Sequence, residues 1–459
     1  MALNLTQKSI FTHLWVILAL IFAQVSAAHG QALIRDTEIE ETIRDFSVPL
    51  IRAAGLDPAS VDLYIVNDGS LNAFVTRGQN IFFHTGLILE AKTPNQLKGV
   101  IAHEAGHIAG GHLVRSDQGN RSAYGSMLIA AGVGLAAILA GEGEAGALVL
   151  GGAPQFGALE VLAYTRVNES AADQYAAQYL ERTGQSGKGL ISFFEKFRYQ
   201  EVLSNAKRYP YFRSHPLSSA RIDGLREVVD ESPYTDELDS AEDVYKLEMV
   251  QAKIRGFLES PQLVFSRYPA SDTSDQARIA RAVAHYQSAS LSSAMIELDY
   301  LIESSPDNPY FHELRGEILY KSGKGEEAIN HYRMALELRP NSPLMQIALA
   351  QAYLETGDKE DTQEAIQLLK FALLKEPKNS AAWYYLSQGY GNLNEEALAK
   401  YAIAEQSFAM GDYQRALSFA QRAQQDLRRD IPQWRRSSDI IVISETQLAK
   451  GKDRNRRKY

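Results

Sequence analysis

No cysteine occurs among the 459 residues. That excludes disulfides, thiolate zinc ligands, a thiol nucleophile and a lipidated N-terminal cysteine. It is compatible with an oxidising compartment without identifying one. Positive charge is not in excess: 47 Lys and Arg stand against 56 Asp and Glu, a formal net charge of −9. Nucleic-acid binding draws on clustered positive charge, so no nucleic acid is expected as a partner. Long apolar runs are also wanting. Mean hydropathy is −0.25, and the run Leu14 to Ala23 is about half of the ~20 residues that a spanning helix needs. No G-x-S-x-G is present, which removes a serine-hydrolase elbow. Gly141-Glu-Gly-Glu-Ala-Gly146 has a dinucleotide-type spacing. It follows no predicted strand, and its carboxylates would repel a pyrophosphate.

What is present is an ordinary globular composition, 45% hydrophobic and 22% charged. At roughly 100–200 residues per domain, the length predicts two or three domains. Lys8 is the only charged residue before Arg35, and small residues Ala23-Gln-Val-Ser-Ala27-Ala28 close the apolar run. This is the layout of a secretory signal peptide over 1–27, cut after Ala27 or Ala32. A membrane anchor is the alternative, for which the run is short.

Ile39, Ile43, Phe46 and Leu50 predict an amphipathic helix over Arg35 to Ala54, ended by Gly55. Val61 to Val66, Ala73 to Thr76 and Ile81 to Phe83 read as short strands of a small sheet. Thr93-Pro94-Asn95-Gln96 opens a second helix with an N-cap, a first-turn proline and a capping box. Ser126 to Leu150 is apolar and rich in Ala and Gly. It reads first as close helix packing. The alternative is a hairpin that makes peripheral membrane contact or forms a lid. Asp230 to Asp243 is acidic and reads as a linker.

From about Asp275 the chain turns repetitive. Gly316, Gly323, Ala328, Tyr332, Ala335 and Pro340 keep the spacing of a 34-residue unit; Ala350, Tyr353, Gly357, Ala365, Leu369, Ala372 and Pro377 repeat it with a three-residue insertion near 359–362. A weaker unit ends at Pro306, and another covers Ala404 to Ala423. The pattern resembles the tetratricopeptide repeat (TPR), a helix-turn-helix module whose stacking makes a concave surface for protein segments. The other reading is a spacer or dimerisation arm. The basic tail Arg454 to Lys458 reads as a solvated end.

The chemistry gathers at His103-Glu104-Ala-Gly-His107. Residues i and i+4 share a helix face, so both imidazoles can meet one metal ion. Glu104 then lies beside the open coordination position, placed to take a proton from water and return it to the leaving amine. Two solvated histidines are the bland alternative, against which the apolar neighbours Val100, Ile101 and Ile108 argue. A catalytic zinc wants a third protein ligand, and Glu169 of Asn168-Glu-Ser-Ala-Ala-Asp173 is the candidate. Asp173, one turn on, is placed to accept the other ring N–H of a ligand histidine. His112 lies nine residues after His103, about 180° around a continuous helix, and is expected to face away. His84 borders a strand; His285, His312 and His331 read as surface or packing residues.

His103-Glu-Ala-Gly-His107 with Tyr164-Thr-Arg-Val-Asn-Glu169-Ser-Ala-Ala-Asp173 resembles the M48 zinc metallopeptidases, as do Phe82-Phe-His-Thr-Gly86-Leu and Asn72-Ala-Phe74. Ala171 departs from the second Glu of many members, at a position that binds no metal. The resemblance implies one Zn2+ held by His103, His107 and Glu169. It brings in Ser214-His215-Pro216 with Arg221: His215 as a fourth ligand that holds the enzyme off, Arg221 as an oxyanion stabiliser. The implied fold is mainly α: an α+β zincin-like (gluzincin) domain with a small sheet over 34–228, an acidic linker and connecting helix over 229–274, TPR repeats over 275–430, and a C-terminal helix and tail over 431–459. Signal peptide, M48-like domain and repeats in this order resemble family members of the Gram-negative periplasm. They imply an endopeptidase that acts on misfolded or stalled outer-membrane proteins and meets the β-barrel assembly machinery through its repeats. A scaffold or chaperone with a latent peptidase and a membrane-associated M48 peptidase are the alternatives.

Overall fold

The computed structural model describes residues 33–76, 78–112, 165–203, 215 and 218–456. The segment 1–27, which reads as a signal peptide, and the apolar segment 126–150 lie outside the described residues. The first elements are β1 (Leu33–Ile34), α1 (Thr37–Ala53), β2 (Asp62–Val66), β3 (Ala73–Thr76), β4 (Asn80–His84), α2 (Thr85–Glu90) and α3 (Pro94–Ala109). Helix α4 covers 165–182. Then come α5 (Lys188–Leu203), α6 (Ser219–Glu231), α7 (Ala241–Leu258) and α8 (Pro261–Arg267).

Helix α1 starts two residues later than the apolar spacing predicts, because Asp36 caps it by accepting from the Ile39 amide at 3.0 Å. Helix α3 is capped by Thr93, as its sequence predicts. The Gln96 side chain reaches back one residue beyond the cap and accepts from the Lys92 amide at 2.9 Å. The sheet order is β1-β2-β4-β3, with β2 and β4 parallel and both outer pairings antiparallel. The two-residue β1 has no pattern to betray it in the sequence. Alternation sorts the two faces. Ile65, Ile81, Phe83 and Ala73 are buried with Ile43, Phe46, Leu97 and Val100 in one core. Tyr64, Phe82 and Phe74 stack along the other face, with ring centroids 4.8 and 5.0 Å apart.

Among the described residues the repeat region consists of α9 (Asp275–Gln287), α10 (Leu291–Ser304), α11 (Pro309–Lys321), α12 (Gly325–Leu338), α13 (Pro343–Thr356), α14 (Lys359–Lys375), α15 (Ser380–Asn392), α16 (Glu396–Ala409), α17 (Tyr413–Asp426) and α18 (Pro432–Arg456). The fold is mainly helical: an N-terminal α+β domain and a solenoid of paired helices. The repeat alanines sit fully buried where helices meet, among them Ala282, Ala294, Ala328, Ala335, Ala350, Ala365 and Ala372. The insertion near 359–362 is absorbed as extra helix, since α14 has 17 residues where α12 has 14.

The turn inside each repeat needs a left-handed residue. Ala289, Gly323, Gly357 and Asn394 fill it, with φ of 55°, 78°, 70° and 62°. Asn394 at this position conceals the unit built from α15 and α16 from a glycine-based reading. The run Ala404 to Ala423 spans α16 and α17, which are joined by a turn where Gly411 has φ 74°, with Ala404, Ala416, Ala420 and Ala423 fully buried.

The acidic stretch before α7 is a junction. Asp239 and Asp243 hold the buried Lys98 at 3.5 and 2.8 Å, and Asp236 pairs with Lys188. Helix α7 is common to both halves. Leu247, Val250 and Ile254 enter the core of the N-terminal domain, while Met249 and Ala252 enter the first repeat core. The repeats also close on the start of α1. Arg35 pairs with Glu376 at 2.8 Å, Arg339 with Glu41 at 2.8 Å, and the Tyr310 hydroxyl donates to Glu41 at 2.6 Å. Among the described residues, no helix is long and apolar enough to cross a membrane.

Candidate metal centre and active site

Helix α3 carries His103, Glu104 and His107, all buried, and α4 carries Glu169 and Asp173. The two helices approach closely at Gly106, where a Cβ would lie 3.1 Å from the Ala172 carbonyl oxygen. A side chain there would require α4 to give by a few tenths of an ångström at Ala172 and Tyr175. His215 and Arg221, the latter in the first turn of α6, complete the group.

His103, His107, Glu169 and His215 each offer one ligand atom, all within 4.8 Å of one another. The Nε2 atoms of His103 and His107 are 3.1 Å apart. Glu169 Oε2 lies 3.4 Å from His103 Nε2, and Oε1 lies 3.4 Å from His107 Nε2. His215 Nδ1 is 3.3 Å from His103 Nε2 and 3.0 Å from Glu169 Oε2. Ligand bonds of about 2.0–2.1 Å at tetrahedral angles put donor atoms about 3.3 Å apart, so the cage has the dimensions of a zinc site. The charges agree. Three buried carboxylates, Glu104, Glu169 and Asp173, face one guanidinium, that of Arg221, and a divalent cation balances the remainder.

Glu104 is fully buried, and among the described residues neither of its oxygens has a hydrogen-bond partner. His215 Nε2 stands 3.6 Å from its Oε1. A buried carboxylate without partners is costly unless a reactant or water uses it. Burial raises its pKa above the usual value, and the neighbouring imidazoles only partly oppose this. It is thereby better suited to accept and release a proton near neutrality.

Asp173 Oδ1 lies 3.0 Å from His103 Nδ1, opposite the face that meets the ligand cluster. Arg221 forks onto Asp173, with Nε 2.7 Å from Oδ2 and Nη2 2.9 Å from Oδ1, and its Nη1 lies 3.2 Å from Glu169 Oε2. Bidentate pairing of this kind fixes orientation as well as charge. Three Arg221 nitrogens are thus committed to carboxylates, an arrangement different from the oxyanion donor that the resemblance implies. Burial alone would raise the Asp173 pKa, but the hydrogen bonds from Arg221 and His103 outweigh it and hold it low. Glu169 is likewise driven low, its hydrogen bonds with His103 and His215 overcoming burial. His103 resists burial through Asp173 and Glu169 and is pushed up to about 9 in the metal-free protein. His107 moves the other way, lowered by burial and by the positive potential of His103 and His215.

His112 does not face away. Helix α3 ends at Ala109, so the 180° computed for a continuous helix does not apply. The chain turns through Gly110 and Gly111, and His112 Nδ1 comes to 3.0 Å from His107 Nδ1. The Gly-Gly pair after the motif was the available sign of a helix stop. His84 sits elsewhere, its Nδ1 2.9 Å from Ser70 Oγ.

The fold and this site define a class, the zinc metalloendopeptidases. Residues 34–229 match Peptidase family M48, whose members depend on zinc, and residues 316–357 match the TPR repeat. The chain therefore carries an M48 peptidase domain followed by TPR repeats. It is homologous to the beta-barrel assembly-enhancing protease of Escherichia coli (strain K12), 27% identical over 412 residues that cover 86% of this chain and 81% of the relative. The putative beta-barrel assembly-enhancing protease of Vibrio cholerae is 29% identical over 207 residues, 45% of this chain and 42% of the relative. Metalloprotease LoiP of Escherichia coli (strain K12) is 30% identical over 171 residues, 37% of this chain and 62% of the relative.

Proposed function

We propose that this chain is a periplasmic zinc endopeptidase acting on misfolded or stalled outer-membrane proteins, which its repeats bind or bring to the assembly machinery. In this reading residues 1–27 are removed on export, 34–228 cleave, 229–274 join, and 275–430 hold clients or partners. The observation that carries the reading is the buried cage of His103, His107, Glu169 and His215 beside the unpartnered carboxylate of Glu104. The names of the homologues support the substrate class.

His103, His107 and Glu169 would hold the ion, with His215 in the fourth place at rest; the ion would supply polarisation of a scissile carbonyl and acidification of water. Glu104 takes the proton from the attacking water and passes it to the departing amine nitrogen. Asp173 keeps the His103 ring turned towards the cage, and Arg221 positions Asp173 and Glu169. Strand β3 stands at the end of the sheet, where Ala73–Thr76 can pair with an extended client segment.

A second reading, an assembly scaffold whose peptidase is usually latent, is favoured by one observation. His215 Nδ1 already stands 3.3 Å from His103 Nε2 and 3.0 Å from Glu169 Oε2, the spacing of donors around one ion. The test is degradation of an unfolded outer-membrane protein by purified mature chain, with a Glu104→Gln control. Cleavage that Glu104→Gln abolishes supports the peptidase reading. Full complementation of a deletion strain by Glu104→Gln would put the scaffold reading first.

A further inference from the structure

We infer that His112 is a positioning residue that fixes the tautomer and ring plane of His107, as Asp173 does for His103. This deepens the zinc-site reading and rests on it. His107 Nε2 faces the ligand cluster, 3.1 Å from His103 Nε2 and 3.4 Å from Glu169 Oε1. A ligand nitrogen presents its lone pair, so the ring proton of His107 resides on Nδ1. That N–H points at His112 Nδ1, 3.0 Å away. His112 Nδ1 must then be the acceptor, and His112 carries its own proton on Nε2. The two rings stand nearly perpendicular, at 81° with centroids 5.0 Å apart, so they meet edge to edge without stacking. His112 is 7% exposed, too buried for a freely rotating surface ring.

The backbone is built for this return. Gly111 has φ +64°, a left-handed conformation that lets the chain reverse immediately after α3. A Cβ on Gly110 would lie 2.4 Å from His112 Nε2, so only glycine leaves space for the ring. The two motif histidines are therefore held differently. His103 leans on an anion and His107 on a neutral ring. A second carboxylate in place of His112 would add negative charge to a site that a divalent cation already balances.

The test is zinc affinity of the full mature chain, by competition with a chromogenic chelator. All variants carry the Glu104→Gln background to prevent self-cleavage. His112→Leu keeps apolar packing and lacks an acceptor; His112→Asn places Oδ1 where Nδ1 was. The expected result is a Kd for zinc about 10–100-fold weaker in His112→Leu, the usual effect of losing a partner behind a ligand, with His112→Asn restored to within about threefold of the parent. In the active background, kcat should fall with KM unchanged for His112→Leu, and His112→Asn should recover it. Gly111→Ala should resemble His112→Leu. Equal affinity of His112→Leu and parent overturns the inference. So does an equal loss in His112→Leu and His112→Asn, which would make the residue a matter of shape alone. A parent chain that binds no zinc overturns the zinc reading itself, a distinguishable failure.

Discussion

Lys253 of α7 is 1% exposed, with Nζ 2.8 Å from Asp36 and 3.3 Å from Glu38. Glu313 of α11, which accepts from the Thr37 hydroxyl, adds a third carboxylate to its surroundings. One ammonium thus joins the start of α1, the shared helix α7 and the second repeat. Replacing Lys253 with Met keeps the volume of the stem and leaves buried carboxylates without a cation. Removing one partner of a buried pair costs about 3–5 kcal/mol. The effect should fall on the junction between the two halves. The sequence has three tryptophans, Trp15, Trp383 and Trp434, and the two after residue 27 lie in α15 and α18. Tryptophan fluorescence of the mature chain therefore reports on the repeats alone, while far-UV circular dichroism reports on every helix. Urea unfolding of Lys253→Met should show the two signals parting, with loss of the ion-pair free energy from the first transition.

The same cluster sets a pH dependence. Burial raises Glu38, against the pull of Lys253, and pushes Glu313 up to about 8. Both acids bind protons more readily folded than unfolded, so the contribution of these two groups to stability is greatest at low pH and falls as pH rises from the ordinary carboxyl range towards 8. The slope should steepen in Lys253→Met. Coincident transitions within about 1 kcal/mol of the parent, where surface ion pairs lie, with no pH dependence, would refute the reasoning.

Other consequences follow from the site. Glu104→Gln should keep zinc and lose about 10²–10⁴-fold in hydrolysis, read as kcat on a quenched peptide. His215→Ala should raise proteolysis of unfolded protein; a folded, zinc-loaded variant with unchanged or lower activity would end the idea of a resting fourth ligand. Asp173→Asn should weaken zinc about 10–100-fold, measured by chelator competition, because it loosens both His103 and Arg221. Zinc uptake at pH 7.5 should release about one proton from His103, which the metal-free site holds charged. Calorimetry in buffers of different ionisation enthalpy measures this, and an enthalpy independent of buffer would contradict it.

The elements that depend on local signals were readable in the sequence. Thr93-Pro94 starts α3, and the i, i+4 histidines lie on its inner face. The repeats were readable where Gly occupied the left-handed turn and, more weakly, in the unit ending at Pro306, whose turn holds Ala289; the unit turning at Asn394 was lost, because Asn adopts the same conformation at a cost no composition rule anticipates. His112 was misread because helical geometry was extended past the point where two glycines end the helix. The commitment of Arg221 to Asp173 and Glu169, and of Lys253 to Asp36 and Glu38, joins residues far apart in sequence. Neither pairing has a spacing to announce it. The acidic stretch before α7 looked like a spacer because its partners, Lys98 and Lys188, come earlier in the chain.

The central claim is a single zinc held by three imidazoles and one carboxylate. Zinc X-ray absorption at the K-edge counts imidazoles directly through their multiple-scattering signal. The account predicts three in the parent protein and two in His215→Ala, with a light-atom ligand filling the vacated place. Two imidazoles in the parent, unchanged by His215→Ala, would contradict it.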